Sequence, residues 1–292
     1  MNDDDPGFFT RPNLSECTVA ILGLGLMGGS LALALRGRCQ KILGYDPDPR
    51  AIALAVERQA FDLAADDLQT VLAGAALVIL AAPVRAIIQQ LAALPDLHPG
   101  RAVVIDLGST KQEIVKAMAC LPERFDPVGG HPMCGREKGT LAAADKNLFQ
   151  NHTFAFTALD RTSVYARRLA EELAQAVGAH ALWLDVETHD RWTSASSHLP
   201  YLVANALAAA TPSEAAPMIG TGFISTSRLA ISPAEMMLDV VLTNRVNVLK
   251  ALHTFRGRLD QIEHCLEERD EDTLRELLRD GAAQRERLVP TP

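Results

Sequence analysis

Two short polar turns carry the residues best suited to proton transfer. Ser109 follows the apolar run that ends at Asp106, and His131 stands between a pair of glycines and Pro132. An imidazole with an ordinary pKa of about 6.5 exchanges protons near neutral pH, and a histidine among glycines and a proline is not typical core filling. We therefore predict that His131 is a catalytic base and that Ser109 meets it. In the alternative interpretation, Ser109 only caps a helix and His131 only satisfies a backbone carbonyl.

A glycine cluster stands between an apolar run and apolar residues at helical spacing, which is typical of a strand, a tight turn and a helix. We predict that Gly23 makes the turn, that Gly25 lets a pyrophosphate approach the backbone, and that Gly28 lets the helix pack closely on its strand. The phosphates would lie on free N–H groups at the helix N-terminus. The cluster therefore predicts a dinucleotide-binding site, against the alternative of a purely structural glycine turn.

An acidic residue at the end of the next predicted strand supports this interpretation. Asp46 lies about twenty residues after the glycine cluster, where a carboxylate holds a ribose 2′-hydroxyl. Because a carboxylate repels the 2′-phosphate of NADP, NAD is the predicted cofactor, and NADP is the alternative because Arg50 lies nearby. The residues predicted to bind the cofactor are Gly23, Gly25, Leu26, Met27, Gly28 and Asp46.

Two other kinds of site fit the sequence less well. Cys134 follows His131 by three residues, but a cysteine–histidine nucleophile needs an acyl substrate, which a dinucleotide turn does not predict. The histidines show no H-x-x-x-H or H-E-x-x-H spacing, so no metal site is predicted.

Composition narrows the class of protein and its partners. The chain has 292 residues, 48% of them hydrophobic, and a net charge of −8. The length favours two domains, and an acidic balance without a basic stripe argues against nucleic acid as a partner. No apolar run reaches the roughly 18 residues that span a bilayer, and the first residues are acidic, so we expect no membrane association and a cytoplasmic location. The five cysteines show no C-x-x-C spacing and are interpreted as reduced thiols.

Apolar runs that alternate with helical segments predict an α/β domain with a Rossmann-like, doubly wound parallel sheet, covered by helices on both faces. Its strands are expected at about 17–22, 41–46, 77–81, 102–106, 154–157 and 181–184. Ser109 and Gln112 have the spacing of a capping box for a helix over about 110–120. Residues 1–16 are expected to be a leader and residues 17–185 the dinucleotide-binding domain.

From residue 186 onward the pattern is helical, so residues 186–292 are predicted to form an all-helical domain. Its last two helices are expected at about 233–256 and 259–286. Their charged residues are typical of a solvated face, but a wide apolar stripe on them fits a partner subunit, and a homodimer is the predicted assembly. The stripe consists of Met236, Met237, Val240, Val241, Val248 and Leu249.

Five motifs occur in a recognisable order along the chain. They are Gly-Leu-Gly-Leu-Met-Gly-Gly-Ser at 23–30, Asp-Leu-Gly-Ser-Thr-Lys at 106–111, Gly-His-Pro-Met-Cys-Gly at 130–135, Ser-His-Leu-Pro at 197–200 and Ser-Thr-Ser-Arg at 225–228. In this order they make the chain resemble prephenate and arogenate dehydrogenases over nearly its whole length. The resemblance implies a dinucleotide-binding domain followed by a helical dimerisation domain. It also implies an NAD-dependent enzyme of tyrosine biosynthesis, which oxidises and decarboxylates prephenate to 4-hydroxyphenylpyruvate.

The resemblance assigns roles to individual residues. His131 would accept the proton of the substrate's ring hydroxyl, and Ser109 would orient that pair. Arg228 would bind a substrate carboxylate, because a guanidinium can grip it in two parallel hydrogen bonds. Arg245 is a second candidate cation.

Three further residues belong to the implied substrate pocket. Glu137 and His198 fall on positions that line it in this family. Tyr201 stands where many prephenate-using members have a second histidine, so the choice between prephenate and arogenate stays open at this point.

Two hypotheses come from other classes. A β-hydroxyacid dehydrogenase also joins a glycine-rich fold to a helical domain, but it uses a lysine in a Gly-x-x-x-Lys setting, and Lys250 follows Asn-Val-Leu. A redox sensor would bind the dinucleotide without turnover.

Overall fold

The computed structural model describes residues 12–136 and 139–289. The chain divides into two compact units, one ending at Arg245 and one beginning at Val246. The first unit contains an eight-stranded sheet. Its strands are β1 Thr18–Leu22, β2 Lys41–Tyr45, β3 Leu63–Ala65, β4 Leu77–Leu80, β5 Ala102–Asp106, β6 Phe125–Pro132, β7 Thr153–Ala158 and β8 His180–Trp183.

The strand order is β3-β2-β1-β4-β5-β6-β7-β8, and every neighbouring pair is parallel except β6 and β7. The predicted α/β class with a Rossmann-like, doubly wound parallel sheet is confirmed, and β6 and β7 are the antiparallel pair within it. Between β6 and β7 the described residues contain a 3₁₀ helix, Leu141–Ala143, and no α-helix. Antiparallel neighbours need no crossover helix, so the chain can return directly.

The helices of the first unit lie between and after these strands. They are α1 Leu26–Leu35, α2 Pro49–Glu57, α3 Leu68–Leu72, α4 Val84–Leu97, α5 Gln112–Ala119, α6 Val164–Ala176, α7 Val186–Thr193, α8 Leu199–Ala210, α9 Thr221–Ser227 and α10 Ala234–Thr243. Helix α11, Arg245–Glu268, runs almost entirely in the second unit, which also contains α12, Glu271–Leu288. None of the described helices is long and apolar enough to cross a membrane.

The core lies on both faces of the sheet. Along β1, Val19 and Ile21 enter one buried cluster, whereas Ala20 and Leu22 enter the other. Successive side chains of a strand point to opposite faces, so a continuous apolar run fits a strand that is covered on both sides. The apolar runs of the sequence therefore predicted the central strands well.

Several element boundaries differ from the predictions. Strand β3 was not predicted, since it is short and two of its three residues are alanine. The predicted helix over 233–256 is broken at Asn244, whose buried side chain donates to the carbonyl oxygen of Asp190. The next predicted helix is broken before α12, where Arg269 has a φ of +54° and Asp270 caps the new helix by accepting from Thr273.

Candidate active site

The glycine-rich turn between β1 and α1 has the geometry that its sequence requires. Gly23 has a φ of +113°, and a Cβ there would lie 2.3 Å from the carbonyl oxygen of Ala81. A Cβ on Gly28 would lie 1.9 Å from the carbonyl oxygen of Gly23, so only glycine lets α1 approach the turn this closely. Both glycines have the structural roles predicted for them, and their contact with a cofactor stays a prediction.

The N-terminus of α1 differs from the prediction in one respect. The N–H of Leu26 was expected to be free, but it donates to the carbonyl oxygen of Gly139 at 2.9 Å. The segment after β6 returns over this helix, where the N–H of Asp145 also donates to Ser30 Oγ at 3.0 Å. A Cβ on Gly25 would lie 3.0 Å from the same carbonyl oxygen of Gly139.

Asp46 braces the glycine-rich turn. Its carboxylate accepts the N–H of Leu24 at 2.8 Å and that of Asp48 at 2.9 Å. Each carboxylate oxygen has a second lone pair, so these bonds leave capacity for a ribose hydroxyl. The guanidinium of Arg50 binds Asp48 rather than Asp46, with Nη2 2.9 Å from Oδ2. The role of Asp46 toward the ribose stays a prediction.

A buried ion pair connects the end of β5 with the loop that follows it and with β6. Lys111 Nζ contacts Asp106 Oδ2, and both side chains are fully buried. Asp106 also accepts the N–H of Gly108 at 2.8 Å and that of Gly130 at 3.0 Å. Burial lowers the pKa of Lys111, and the Asp106 carboxylate opposes that shift. Sequence reasoning placed Asp106 and Lys111 inside a motif but did not predict their pairing.

His131 lies within β6 and not in a turn, so that part of the prediction was wrong. It is paired across the antiparallel strand with Ala155, because the strand continues through its glycines to Pro132. Its ring Nδ1 lies 3.0 Å from His189 Nε2, and His189 Nδ1 lies 2.8 Å from Asp190 Oδ1. His189 and Asp190 were missed as site residues. The only local signal is a His-Asp pair in a helix that Asp185 caps.

Asp190 also replaces the predicted helix cap. Its carboxylate accepts the N–H of Lys111 at 2.7 Å and that of Gln112 at 2.9 Å, so α5 begins at Gln112. The predicted capping box of Ser109 and Gln112 was therefore wrong. A full negative charge at a helix N-terminus interacts with the helix dipole more strongly than a neutral hydroxyl can.

The half-buried Ser109 hydroxyl makes no hydrogen bond within residues 12–136 and 139–289. Its predicted pairing with His131 stays a prediction.

The electrostatics of the site favour a neutral His131. Burial lowers its pKa well below the ordinary value, and the neighbouring cations or potential cations His189, Lys111 and His198 lower it further. An imidazole in this state has a lone pair available near neutral pH, as a general base must.

His198 lies where the helix that begins as α7 widens. Ser194–His198 is π-helical and leads directly into α8. Pro200, in the first turn of α8, has no N–H to donate to a carbonyl oxygen of the preceding turn. Widened π-helical turns like this one are frequent at functional sites. Nδ1 of His198 lies 3.3 Å from Asn244 Nδ2, whereas its buried Nε2 has no hydrogen-bond partner in the described part of the chain. Burial lowers the pKa of His198 to about 4.

Comparison with known proteins identifies the family. The family model for the prephenate dehydrogenase nucleotide-binding domain matches residues 31–183, and the model for the prephenate dehydrogenase dimerization domain matches residues 185–280. The chain belongs to the prephenate dehydrogenase family. The prephenate dehydrogenase of Bacillus subtilis is 33% identical over 275 residues, which is 90% of this chain and 73% of that protein.

Solved structures of the prephenate dehydrogenase family have the same fold. Prephenate dehydrogenase from A. aeolicus, solved in complex with hydroxyphenyl propionate and NAD+, has 30% identity and a TM-score of 0.86, covering 95% of this chain and 100% of that one. Arogenate dehydrogenase from Synechocystis has 28% identity and a TM-score of 0.79, covering 93% and 100%.

Three of the remaining candidate substrate residues lie on the helices after β8. Tyr201 is half-buried on α8, one turn after His198. Arg228 is exposed and begins a 3₁₀ helix, Arg228–Ile231, that packs against α8. Arg245 is exposed at the start of α11. Glu137 lies outside the described residues. The substrate roles of all four stay predictions.

The chemistry of Cys134 does not support the alternative nucleophile. Burial raises the pKa of its thiol to about 12, so the reactive thiolate is scarce at neutral pH. No group of three or more potential metal ligands occurs among the residues that the structure describes.

Proposed function

We propose that the chain is an NAD-dependent prephenate dehydrogenase, which converts prephenate to 4-hydroxyphenylpyruvate and CO₂. The observation that carries this proposal is the similarity to the Bacillus subtilis prephenate dehydrogenase over 90% of the chain. The family resemblance of the motifs and the buried, neutral His131 support it. The same relationship supports a tyrosine-biosynthetic role and a cytoplasmic location.

The glycine-rich turn fits a dinucleotide. Gly23, Gly25, Met27 and Gly28 would hold the pyrophosphate, with Leu26 beside them, although its own N–H donates to the carbonyl oxygen of Gly139. Asp46, with its remaining acceptor capacity, would hold the ribose hydroxyl. When bound, NAD supplies a nicotinamide that accepts the substrate's hydride.

His131 would carry the proton transfer. Its Nε2 takes the proton from the substrate's 4-hydroxyl while a hydride leaves C4, so the C–O bond becomes a carbonyl. The bond from C1 to its carboxylate then breaks and releases CO₂, and its electrons complete the aromatic ring. The product phenol needs a proton on that oxygen, and its return from His131 leaves the imidazole neutral for the next cycle.

Cations and hydrogen-bond donors would hold the dianionic substrate. Arg228 would grip a carboxylate, and Glu137 and Tyr201 would line the pocket beside it. Because Nδ1 of His198 is next to the Asn244 amide, the proton of the neutral ring belongs on Nε2, where it has no partner in the described residues. This buried N–H is suited to donate to a substrate oxygen, and Ser109 would orient the substrate hydroxyl toward His131.

The direct test is absorbance at 340 nm after mixing the purified chain with NAD⁺ and prephenate. NADH should accumulate, and the ultraviolet spectrum of 4-hydroxyphenylpyruvate should appear in equal amount. A chain that binds NAD⁺ but produces no NADH would refute the dehydrogenase and favour the dinucleotide sensor. 3-Hydroxyisobutyrate as substrate tests the β-hydroxyacid alternative in the same assay.

Arogenate dehydrogenase is the second candidate function. It is favoured by Tyr201, which replaces the second histidine of many prephenate enzymes, and by the similarity to the Synechocystis arogenate dehydrogenase. Arogenate carries an ammonium where prephenate has a ketone, so the comparison of catalytic efficiencies with both substrates decides between them. Prephenate should be used more efficiently.

The assembly is proposed to be a homodimer. Residues 185–280 match a dimerization domain. Of the predicted apolar stripe, Met236 and Leu249 are exposed, whereas Met237, Val240 and Val248 are buried within the chain itself. We keep residues 17–185 as the dinucleotide-binding domain and residues 186–292 as the helical domain. Light scattering at micromolar concentration should return the mass of a dimer.

A further inference from the structure

A buried series of hydrogen bonds connects His131 to helix α7. Nδ1 of His131 lies 3.0 Å from Nε2 of His189, and Nδ1 of His189 lies 2.8 Å from Oδ1 of Asp190. Of the three side chains, His131 is the most exposed, with 8% of its surface accessible. Water is therefore excluded as an alternative partner for the nitrogen atoms that face each other.

The carboxylate at one end determines where each proton lies. An ionised carboxylate oxygen only accepts hydrogen bonds, so Nδ1 of His189 must be the donor. A neutral imidazole with its proton on Nδ1 has its lone pair on Nε2, which then accepts from Nδ1 of His131. The lone pair of His131 is left on Nε2. The reverse arrangement would aim the lone pair of His189 at a carboxylate oxygen 2.8 Å away, which is repulsive.

Asp190 is itself held by bonds that do not involve the imidazoles. Its carboxylate accepts the N–H groups of Lys111 and Gln112 at the start of α5, at 2.7 and 2.9 Å. Its carbonyl oxygen accepts from the Asn244 side chain at 2.6 Å. These hydrogen bonds hold the Asp190 carboxylate in one position and one orientation.

On the proposed function, in which His131 is the base, we propose that His189 and Asp190 are positioning residues. Asp190 holds the proton of His189 on Nδ1, and His189 holds the proton of His131 on Nδ1. This keeps Nε2 of His131 unprotonated and directed away from His189, as the atom that accepts the substrate's proton. When Nε2 takes that proton, Nδ1 of the imidazolium still donates to His189, and no bond in the series has to reverse.

The low pKa of His131 is consistent with this arrangement. Burial and the neighbouring groups His189, Lys111 and His198 keep the ring neutral before the reaction. A neutral ring has two tautomers, and only one of them has the lone pair on Nε2. The surroundings therefore set the charge, while His189 selects the tautomer.

A matched pair of substitutions separates positioning from simple packing. His189→Gln carries an amide whose N–H₂ faces the Asp190 carboxylate, which forces its oxygen toward Nδ1 of His131. His189→Met has similar length and flexibility but neither donor nor acceptor. We expect His189→Met to lower kcat roughly 10- to 100-fold, less than the roughly 10²- to 10⁴-fold value of the base itself. His189→Gln should keep kcat within about fivefold of the parent, and the KM for prephenate should stay within about threefold in both.

The melting temperature and NAD⁺ affinity of both variants serve as controls for folding. A merely structural His189 predicts that the two variants lose kcat equally, or in proportion to their loss of stability. Equal kcat values for His189→Gln and His189→Met would overturn the proposal.

The tautomers can be measured without any substrate. Long-range ¹H–¹⁵N spectra of protein labelled at histidine, assigned with His131→Asn and His189→Gln, should place the proton of both rings on Nδ1 at pH 7.5. A proton on Nε2 of His131 would overturn the inference. Because this readout needs no turnover, it still decides the inference if the chain does not oxidise prephenate and the proposed function fails.

Discussion

We expect acid to destabilise the fold through His198, and His198→Gln to remove that part of the acid sensitivity. The ring is fully buried, and its pKa is lowered to about 4, mainly because burial disfavours the charged form. Asp190 opposes this shift and His189 adds to it. The Asn244 side chain, 3.3 Å from Nδ1, also favours the neutral ring because it offers a donor there.

The sign and size of the effect follow from proton linkage. In the unfolded chain His198 takes up a proton as the pH falls below about 6.5, whereas in the folded protein it does so only near pH 4. The unfolded state therefore gains protons first, and stability declines as the pH falls between these two values. A shift of one pKa unit corresponds to about 1.4 kcal/mol, so His198 should account for about 2 kcal/mol of lost stability between pH 7.5 and pH 5.

Urea unfolding at a fixed protein concentration, repeated between pH 7.5 and pH 5, measures this loss. His198→Gln cannot titrate, so the stability difference between it and the parent should shrink by about 2 kcal/mol over that range. His152→Gln, at an exposed histidine, is the matched control and should follow the parent. The reasoning fails if His198→Gln loses as much stability with acid as the parent does.

Three further predictions concern activity. His131→Asn should lower kcat by roughly 10² to 10⁴ while NAD⁺ affinity is unchanged, because only proton transfer is removed; a kcat within threefold of the parent would contradict the base. Arg228→Ala should raise the KM for prephenate about 10- to 150-fold, the equivalent of about 1.5–3 kcal/mol for a charge-assisted hydrogen bond. Arg245→Ala is its comparison, and an unchanged KM in Arg228→Ala would rule out the carboxylate contact. Asp46→Asn should shift the ratio of kcat/KM for NADP over NAD toward NADP, because repulsion of the 2′-phosphate is removed. An unchanged ratio would show that Asp46 only braces the Leu24 N–H.

Local sequence patterns predicted most of the fold that positions the site. The apolar runs of β1, β4 and β5 are buried on both faces. A short continuous apolar run is typical of a parallel strand that is covered on both sides. Gly23 and Gly28 were recognisable because a positive φ and a close backbone contact are requirements of the residue itself. The direction of β7 was missed, since two strands joined without a crossover helix carry no sign of their relative direction in their own residues.

His131 could be proposed from the sequence because its neighbours Gly130 and Pro132 make it unusual. The partners of His131 could not be proposed in that way. His189 is 58 residues further along the chain, and Asp190 is 79 residues from the Lys111 N–H that it caps. The sequence offered Ser109 as the cap of α5, since the capping-box pattern considers only local donors and acceptors.

The sequence by itself determined the α/β architecture, the glycine-rich turn, the acidic end of β2 and the histidine expected to act as a base. These depend on periodicity, on backbone freedom and on intrinsic pKa, all of which belong to single residues or short segments. Only the tertiary structure decided that Asp46 braces the turn, that Leu26 donates to Gly139, and that His131 faces a His-Asp pair. Hydrogen bonds between distant segments form only when packing brings a donor to an acceptor and removes the water that competes for both.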